Sequence, residues 1–259
     1  MLPKKLLGDT GLELSRIGLG TVKFGRNTQV KYPQQFKIPS LDQFLAMLSL
    51  AQELGINTLD TAPSYGDAEN KLGKIFADTT NNIAREDWVL ITKAGEEFYN
   101  NQSYYNFNAN YINSSIDNSL QILNSDYIDI LLIHSDGSDQ QLSENDELWE
   151  MLEYRKQQGD IKAFGVSSKT VDGGLACLKR SDLAMVTYRS DYIDEQPILD
   201  YAKDHNKGIL LKKAFNSGHN THSEALKFSC SHKAVTSIII GTINPEHLID
   251  NTLACSSQI

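Results

Sequence analysis

Short apolar runs alternate with longer amphipathic stretches along most of the chain. The short runs are rich in β-forming residues and nearly continuous in apolar character, which is typical of parallel strands covered on both faces. They span residues 16–19, 55–60, 88–93, 127–134, 161–166, 183–187, 208–211 and 237–240. This pattern predicts eight β-strands.

Apolar residues at helical spacing occupy the stretches between these runs. In residues 41–54, Phe44, Leu45, Leu48 and Ala51 share one helical face through i+3, i+4 and i+7 spacings, and the pattern stops at Gly55. Similar patterns predict helices over residues 109–123, 145–158, 170–179, 196–205 and 245–253.

The alternation of strands and helices defines the fold class. It implies right-handed βαβ crossovers and a parallel sheet, and eight such units in about 250 residues match a (β/α)8 barrel. A doubly wound open sheet is the competing fold, but no G-x-G-x-x-G follows an early strand, which argues against a dinucleotide-binding Rossmann domain. No stretch has the composition of a linker. We therefore predict an α/β fold, a (β/α)8 TIM barrel formed by residues 1–259 as a single domain.

Three segments lie outside the barrel repeat. Residues 4–17 contain the turn sequence Gly8-Asp9-Thr10-Gly11 between apolar flanks, which predicts an N-terminal β-hairpin. Residues 26–40 and 94–108 are irregular stretches that follow strand ends, where βα loops form the active sites of barrels. Tolerated surface insertions would have the same composition, so the sequence leaves their role open.

Composition and charge narrow the class of protein. Apolar residues make up 40% and charged residues 22% of the 259 residues, which is ordinary globular usage and excludes a disordered chain. No apolar run approaches the ~18 residues of a membrane-spanning helix, mean hydropathy is −0.36, and the N-terminus has no signal-peptide pattern. We expect a soluble, cytoplasmic protein without membrane association.

The net charge and the cysteines exclude further classes of function. A net charge of −9 without a basic block argues against nucleic-acid binding. The cysteines, Cys177, Cys230 and Cys255, are odd in number and widely spaced, so a disulfide framework or a zinc site is not expected. We expect reduced, partly buried thiols and no metal site.

Polar residues collect at the C-terminal ends of the predicted strands. The second, third and fourth strands end at Asp60, Lys93 and His134, and Tyr65 follows Asp60 closely. Burying an unpaired charge is costly, so an ionisable group at the end of three successive apolar strands indicates a site. On a barrel these ends converge on one pocket.

These residue types suit proton transfer. Asp60 and Lys93 lie on neighbouring strands and can form an ion pair, which keeps the lysine protonated despite burial. Because a buried ammonium favours the phenolate, we expect the pKa of Tyr65 to be lowered from its usual value of ~10, which would let the phenol exchange a proton near neutral pH. His134 would donate a hydrogen bond to a carbonyl oxygen. Proton transfer to that oxygen, with a hydride from a cofactor, fits this set best.

Seven segments in the same order carry a family resemblance over nearly the whole chain. They are residues 7–12 (LGDTGL), 17–21 (IGLGT), 57–66 (NTLDTAPSYG), 91–94 (ITKA), 126–134 (DYIDILLIH), 165–168 (GVSS) and 240–251 (IGTINPEHLIDN). With them the chain resembles the aldo-keto reductase superfamily. The DTAxxYG pattern within residues 57–66 is fairly specific by itself, and the lysine and histidine segments strengthen it.

The resemblance implies an activity and a catalytic tetrad. The activity is NAD(P)H-dependent reduction of an aldehyde or ketone to an alcohol, or the reverse oxidation. In the tetrad, Tyr65 would be the general acid and Lys93 would tune its pKa. Asp60 would be the partner of Lys93, and His134 would orient the carbonyl group.

The resemblance also implies a site for an extended nicotinamide dinucleotide, with NADP(H) as the family default and NAD(H) as the alternative. The residues expected there are Thr21, Asp60, Ser167, Ser168, Thr187, Lys212, Lys213, Gly218, Gly241, Thr242, His247 and Asn251.

Several of these positions depart from the family pattern. Ser168 stands where an asparagine is common, Thr187 where a glutamine is usual, and Lys212 where many members have an aromatic ring. With Lys213, Lys212 would instead contact the pyrophosphate as a point charge.

The adenosine end departs as well. Gly241 and Ile243 stand at positions that are often basic, so His247 is the nearest candidate for binding a 2′-phosphate. These departures weaken the preference for NADP(H).

The resemblance implies a small carbonyl compound or alcohol as the substrate. If Lys23, Phe24, Tyr99 and Asp136 lie near the site, a polar hydroxylated aldehyde or a sugar is one candidate. Neither the direction of the reaction nor the oligomeric state follows from the sequence.

Two alternatives of other classes stay open. A cofactor-binding regulatory protein on the same scaffold would bind dinucleotide with little turnover; the altered cofactor contacts favour it, and the intact tetrad argues against it. A lyase or isomerase using Lys93 as a Schiff-base nucleophile would need no nicotinamide.

Overall fold

The computed structural model describes residues 2–218 and 223–256. In chain order its strands are β1 (Lys4–Leu6), β2 (Glu13–Ser15), β3 (Ile17–Gly20), β4 (Thr58–Asp60), β5 (Val89–Ala94), β6 (Glu96–Tyr99), β7 (Gln102–Tyr105), β8 (Ile128–His134), β9 (Ile161–Ser167), β10 (Leu183–Val186), β11 (Gly208–Leu211) and β12 (Val235–Ile240). Its helices are α1 (Val22–Gly25), α2 (Leu41–Glu53), α3 (Ala68–Ala77), α4 (Ala109–Ile122), α5 (Asp139–Ser143), α6 (Asp146–Gln158), α7 (Val171–Lys179), α8 (Gln196–Asp204), α9 (Ser223–Ser231) and α10 (Pro245–Ser256).

Eight parallel strands close into a barrel. Their order is β3, β4, β5, β8, β9, β10, β11 and β12, and β12 pairs back with β3. Helices connect successive strands, as in a (β/α)8 barrel. The predicted TIM barrel is confirmed, and so is the N-terminal hairpin, in which β1 and β2 pair antiparallel.

Apolar side chains fill the barrel from inside and outside. An inner cluster contains barrel residues such as Ile91, Ile130 and Leu210, and the hairpin residues Leu7 and Leu14 pack with it. The hairpin therefore closes one end of the barrel and leaves the C-terminal ends of the strands free for a site. A larger cluster packs the helices onto the outer face of the strands.

The differences from the sequence prediction lie mostly at element ends and in short helices. Strand β4 begins at Thr58, because Gly55 turns the chain with φ +83° and Asn57 is held by the hairpin: its side-chain oxygen accepts from the Ser15 N–H at 2.7 Å. Helices α3 and α9 follow β4 and β11, where the sequence analysis assigned no helix bounds. The short helices α1 and α5 were also not predicted.

The insertion at residues 94–108 is largely a second β-hairpin. Strands β6 and β7 pair antiparallel, and the turn between them places Asn100 and Asn101 at φ +50° and +59°. Arg26 of the other insertion stacks over Phe98, with its guanidinium carbon 3.6 Å from the ring centroid. The two insertions, expected to be irregular, thus meet beside the C-terminal end of the barrel.

Within residues 2–218 and 223–256, no helix combines the length and the apolar character needed to cross a membrane.

Candidate active site

A cavity of about 920 Å³ opens at the C-terminal ends of the barrel strands. This volume lies at the upper end of the range for small-molecule sites, about 300–1,000 Å³. Asp60, Tyr65, Lys93 and His134 all line it. The residues that the sequence singled out for chemistry therefore share one cavity.

Asp60 and Lys93 form a buried ion pair on neighbouring strands. The Lys93 ammonium lies 2.6 Å from Asp60 Oδ1, and the two side chains are 2% and 5% exposed. Lys93 also donates to the carbonyl oxygen of Thr61 at 2.8 Å. The pairing expected from the sequence is present, and it keeps a positive charge at the bottom of the cavity.

The backbone at Tyr65 and Gly66 packs closely against the backbone at Gly25. It ends a 3-10 turn, Pro63–Tyr65, and the next residue, Gly66, has φ +64°. A Cβ at Gly66 would lie 2.3 Å from the Gly25 carbonyl oxygen, and one at Gly25 would lie 2.1 Å from the Tyr65 carbonyl oxygen. The chain needs glycine at both positions to direct Tyr65 into the cavity.

The hydroxyl of Tyr65 is firmly protonated in this environment. It donates to Asp60 Oδ2 at 3.4 Å, while the Lys93 ammonium lies 4.6 Å from the centroid of its ring. Burial and the nearby carboxylates Asp60 and Glu96 raise the pKa of Tyr65 well above its usual value. The expectation that Lys93 lowers this pKa is wrong, because burial and the Asp60 carboxylate, which is bonded to Lys93 and faces the phenol, raise it.

His134 is paired with a carboxylate that the sequence analysis did not identify. Its Nδ1 lies 2.7 Å from Glu96 Oε2. The other Glu96 oxygen accepts hydrogen bonds from Ser103 Oγ at 2.6 Å and the Tyr105 hydroxyl at 3.0 Å. The hairpin β6–β7 supplies all three groups, so this insertion is part of the site.

Burial and charge act in opposite directions on this pair. Burial would raise the pKa of Glu96, but the hydrogen bonds and charge of His134, with help from Ser103, hold it well below its usual range. Burial and the positive charge of Lys93 lower the pKa of His134 against the effect of Glu96. At pH 7 the carboxylate of Glu96 is therefore ionised and His134 is neutral. The Nδ1–H group of His134 donates a hydrogen bond to this carboxylate.

Most of the residues expected to bind a dinucleotide line the same cavity. They are Asp60, Ser167, Lys212, Lys213, Gly218, Gly241, Thr242, His247 and Asn251. Thr21, Ser168 and Thr187 are buried and lie outside the lining.

A family model described as the aldo/keto reductase family matches residues 16–224. The chain belongs to this family. Like its other members, it is an NAD(P)-dependent oxidoreductase that acts on small carbonyl compounds.

Similar proteins cover nearly all of this aldo-keto reductase. The crystal structure of PA4992, a provisionally assigned aldo-keto reductase from Pseudomonas aeruginosa, is 41% identical with a TM-score of 0.88 and covers 98% of this chain and 95% of that one. The uncharacterised oxidoreductase YqkF of Bacillus subtilis is 26% identical over 98% of this chain and 92% of its own length. L-Galactose dehydrogenase of Arabidopsis thaliana is 26% identical over 96% and 87%.

The cavity lining of this aldo-keto reductase fits a nicotinamide dinucleotide, while two of the hydroxyls expected to bind it lie outside that lining. Thr21 Oγ1 and Ser168 Oγ are buried, and within the described residues neither has a hydrogen-bond partner. Both residues directly follow β3 and β9 but lie outside the cavity lining, and a Cβ at Gly174 of α7 would lie 2.8 Å from Ser168 Oγ. The lining itself carries hydrogen-bonding side chains, among them Ser167, Lys213 and Asn251. Such groups can bind the polar groups of a dinucleotide, so the residues present fit the cofactor of the family.

Lys212 lines the cavity and is bonded to the C-terminal end of β9. Its ammonium donates to Ser167 Oγ at 2.9 Å and to the Ser168 carbonyl oxygen at 2.6 Å, at the ends of the strands. Burial and the charge of Lys213 lower the pKa of Lys212 to about 7. Lys213 is the exposed member of the pair, and the binding of either lysine to a pyrophosphate stays a prediction.

Of the four residues considered for substrate contact, Lys23 alone lines the cavity. Phe24 is buried and stacks on Phe44, with ring centroids 4.1 Å apart. Tyr99 stacks on Tyr104 at 3.9 Å on the surface of the second hairpin. Asp136 is exposed and accepts from Ser138.

Tyr32, from the insertion at residues 26–40, reaches into the cavity. The Lys23 ammonium lies 4.0 Å from the centroid of its ring, and a Cβ at Gly241 would lie 2.5 Å from its hydroxyl. Burial, with Tyr65 and Asp60 nearby, raises the pKa of Tyr32. Tyr32 therefore contacts the end of β12, where the sequence placed the adenosine, and the missing side chain at Gly241 makes room for it.

Proposed function

We propose that this chain reduces the carbonyl group of a small hydroxylated aldehyde, with Tyr65 as the proton donor. The observation that carries the proposal is the protonated Tyr65 hydroxyl in one cavity with the buried Lys93–Asp60 pair and His134. A bound nicotinamide cofactor supplies the hydride.

The raised pKa of Tyr65 supports reduction as the favoured direction. At neutral pH its hydroxyl holds the proton that a developing alkoxide needs, whereas oxidation would require the phenolate. When the proton leaves, the new phenolate lies beside the Lys93 ammonium, which stabilises it. In this scheme Asp60 holds Lys93 in place, and His134 orients the carbonyl oxygen toward Tyr65.

The adenosine end supports use of both dinucleotides. Residues 241–251 contain no lysine or arginine, and the cavity lining there includes His247 and the carboxylate Asp250. A 2′-phosphate binds most tightly to a bidentate arginine or to lysines. We therefore expect affinities for NADPH and NADH within about tenfold of each other, or about 1.4 kcal/mol.

Hydroxyl groups around the reacting end support a polar substrate. Ser64, Ser103 and Tyr105 line the cavity together with Lys23 and Glu96, and such groups can bind the hydroxyls of a substrate. L-Galactose dehydrogenase, a relative over most of the chain, acts on a sugar by its name. A short-chain hydroxylated aldehyde or an aldose is the substrate class that we propose.

Tyr65→Phe tests the proposal. With a panel of aldoses, hydroxyaldehydes and unsubstituted aldehydes, we expect kcat to fall at least about 100-fold, while Kd for NADPH, measured by the fluorescence of the reduced nicotinamide, changes less than about twofold. Tyr154→Phe on the exposed surface is the matched control. Equal activity of Tyr65→Phe and wild type would refute the proposed proton donor. Tight dinucleotide binding by wild type without turnover on any substrate would favour the regulatory alternative.

A further inference from the structure

We propose that Glu96 is a positioning residue that keeps a proton on His134 Nδ1, so that His134 donates a hydrogen bond from Nε2 only when the ring is doubly protonated. The proposal rests on the function proposed above, in which His134 orients the carbonyl oxygen. It makes carbonyl binding depend on the uptake of one proton by His134.

The contacts of Glu96 fix the position of the proton. An ionised carboxylate can only accept hydrogen bonds. One Glu96 oxygen accepts from Ser103 and Tyr105, and the other lies 2.7 Å from His134 Nδ1. Ser64 Oγ lies 3.5 Å from the same nitrogen, too far to compete. Nδ1 therefore carries the proton.

This proton position decides what the other ring nitrogen can do. A neutral imidazole has one N–H, so when Nδ1 carries the proton, Nε2 has only a lone pair. Such a nitrogen cannot donate a hydrogen bond to a carbonyl oxygen. A second proton converts Nε2 into a donor, and the Glu96 carboxylate stabilises the imidazolium that results. The alcohol product can instead donate to the bare Nε2 of the neutral ring.

Other charged groups face His134 and must be considered. They are Lys93 from β5, Lys212 after β11, Tyr65 at a ring-centroid distance of 6.4 Å and Arg26, which lies near Glu96. Tyr65 does not titrate near neutral pH, but Lys212 has a pKa of about 7. A wild-type pH profile alone would not separate the titration of His134 from that of Lys212, so the test must observe the His134 ring itself.

Glu96→Gln is the decisive variant, because an amide can accept from Ser103 and Tyr105 and can also donate to Nδ1. In ¹⁵N spectra of the unliganded protein above about pH 8, with His134 assigned through His134→Asn, we expect the Nδ1–H tautomer in wild type and a shift toward Nε2–H in Glu96→Gln. Glu97→Gln is the matched control, since Glu97 is the exposed neighbour on the same strand.

Kinetics provide a second readout. In wild type, kcat/KM for carbonyl reduction should fall about tenfold per pH unit above the pKa of His134, whereas in Glu96→Gln it should vary by less than about threefold over the same range. A Glu96 with only a structural role would instead lower kcat/KM equally at every pH. That result, or an Nε2–H tautomer in wild type, would overturn the proposal. The spectra decide it even if Tyr65→Phe disproves the proposed proton donor.

Two cysteines on the last two helices support a second, independent inference. Cys230 of α9 and Cys255 of α10 have Sγ atoms 3.1 Å apart, while Cys177 is buried elsewhere. A disulfide needs about 2.05 Å, so closure requires a movement of about 1 Å. We infer that Cys230 and Cys255 form a reversible disulfide that links the last two helices.

The chemistry is thiol–disulfide exchange with a small aliphatic disulfide as the oxidant. The Cys230 thiolate attacks one sulfur of that disulfide and releases one thiol, and Cys255 then attacks the mixed disulfide at Cys230 and releases the second. The hydrogen bond from Cys255 and the charge of Arg16 lower the pKa of Cys230 to about 7. Cys230 is also the more exposed of the two cysteines, so it is the attacking thiol.

Oxidised glutathione provides the probe. After incubation, intact-mass measurement should show a loss of two hydrogens in wild type and in Cys177→Ser, and Tm should rise by about 5–10 °C. Cys230→Ser and Cys255→Ser should show no such loss. An unchanged wild-type mass, or the same loss in Cys230→Ser, would overturn the inference.

Discussion

Replacing Lys93 by Met should destabilise the protein as strongly as any single change in the barrel. Methionine keeps the length and apolar stem of lysine but cannot donate to Asp60 or to the Thr61 carbonyl oxygen, which accept from Lys93 at 2.6 and 2.8 Å. The Asp60 carboxylate would then lie buried with only the 3.4 Å contact from Tyr65.

The size of the effect follows from the burial of the pair. Removing one partner of a buried ion pair lowers the free energy of unfolding by about 3–5 kcal/mol. With side-chain exposures of 2% and 5%, Lys93 and Asp60 form such a buried pair. At about 2–4 °C per kcal/mol for a chain of this size, Tm should fall by roughly 6–20 °C. In the double variant Asp60→Asn/Lys93→Met neither charge is left unpaired. Its decrease in the free energy of unfolding should therefore be smaller than the sum of the decreases in the two single variants by about 2 kcal/mol.

Urea unfolding followed by the fluorescence of the buried Trp88 and Trp149 measures these losses. Lys203→Met is the matched control, because Lys203 pairs with Asp204 at 3.8 Å with both side chains more than half exposed. We expect that control to cost less than about 0.5 kcal/mol. A Lys93→Met variant as stable as Lys203→Met would refute the reasoning from burial.

Three further predictions concern the packing around the barrel. Burial raises the pKa of Glu69 to about 7, so its contribution to stability is present below about pH 4.3 and is lost as pH rises toward 7. Between pH 5 and pH 8 wild type should therefore lose stability relative to Glu69→Gln, by an amount on the order of 3 kcal/mol. If the difference in urea midpoint between the two proteins is the same at both pH values, the prediction is wrong. Gly73→Ala should cost about 1–3 kcal/mol, because its Cβ would lie 1.9 Å from the Ile122 carbonyl oxygen; a Tm equal to that of wild type would disprove the clash. Asp139→Ala should cost about 3 kcal/mol, since Asp139 accepts from the Thr170 N–H and hydroxyl at the start of α7, and an unchanged urea midpoint would show that these bonds contribute little.

The barrel and the placement of Asp60, Lys93 and His134 were predictable because both depend on local pattern and topology. Apolar runs with the strand period identify the strands, and parallel order then brings their C-terminal ends together. Asp60, Lys93 and His134 end β4, β5 and β8, which are neighbours in the barrel. No three-dimensional information is needed to place these three side chains in one pocket. The single-domain organisation and the cytoplasmic location stay predictions.

The electrostatics of the site could not be predicted in the same way. The pKa of Tyr65 depends first on how deeply its hydroxyl is buried and then on which charges lie near it, and the sequence specifies only that Asp60 and Lys93 are both close. In the structure the phenol faces the carboxylate while the ammonium is bonded to that same carboxylate. Burial and the facing carboxylate therefore raise the pKa of Tyr65, opposite to the direction expected from Lys93.

Glu96 shows most clearly where the strand pattern fails as a guide to this site. Side chains alternate between the two faces of a strand, so continuing β5 beyond Ala94 would point residue 96 away from the face that carries Lys93. Gly95 interrupts the alternation with φ +101°, and a Cβ there would lie 2.7 Å from the ring of Phe107. That turn redirects the chain into β6 and brings Glu96 to 2.7 Å from His134. The nearest signal in the sequence is a glycine followed by two glutamates directly after a catalytic strand. A glycine at such a point can reverse the face on which the next charged residue lies, so the residues after it should be considered as candidates for the site on either face.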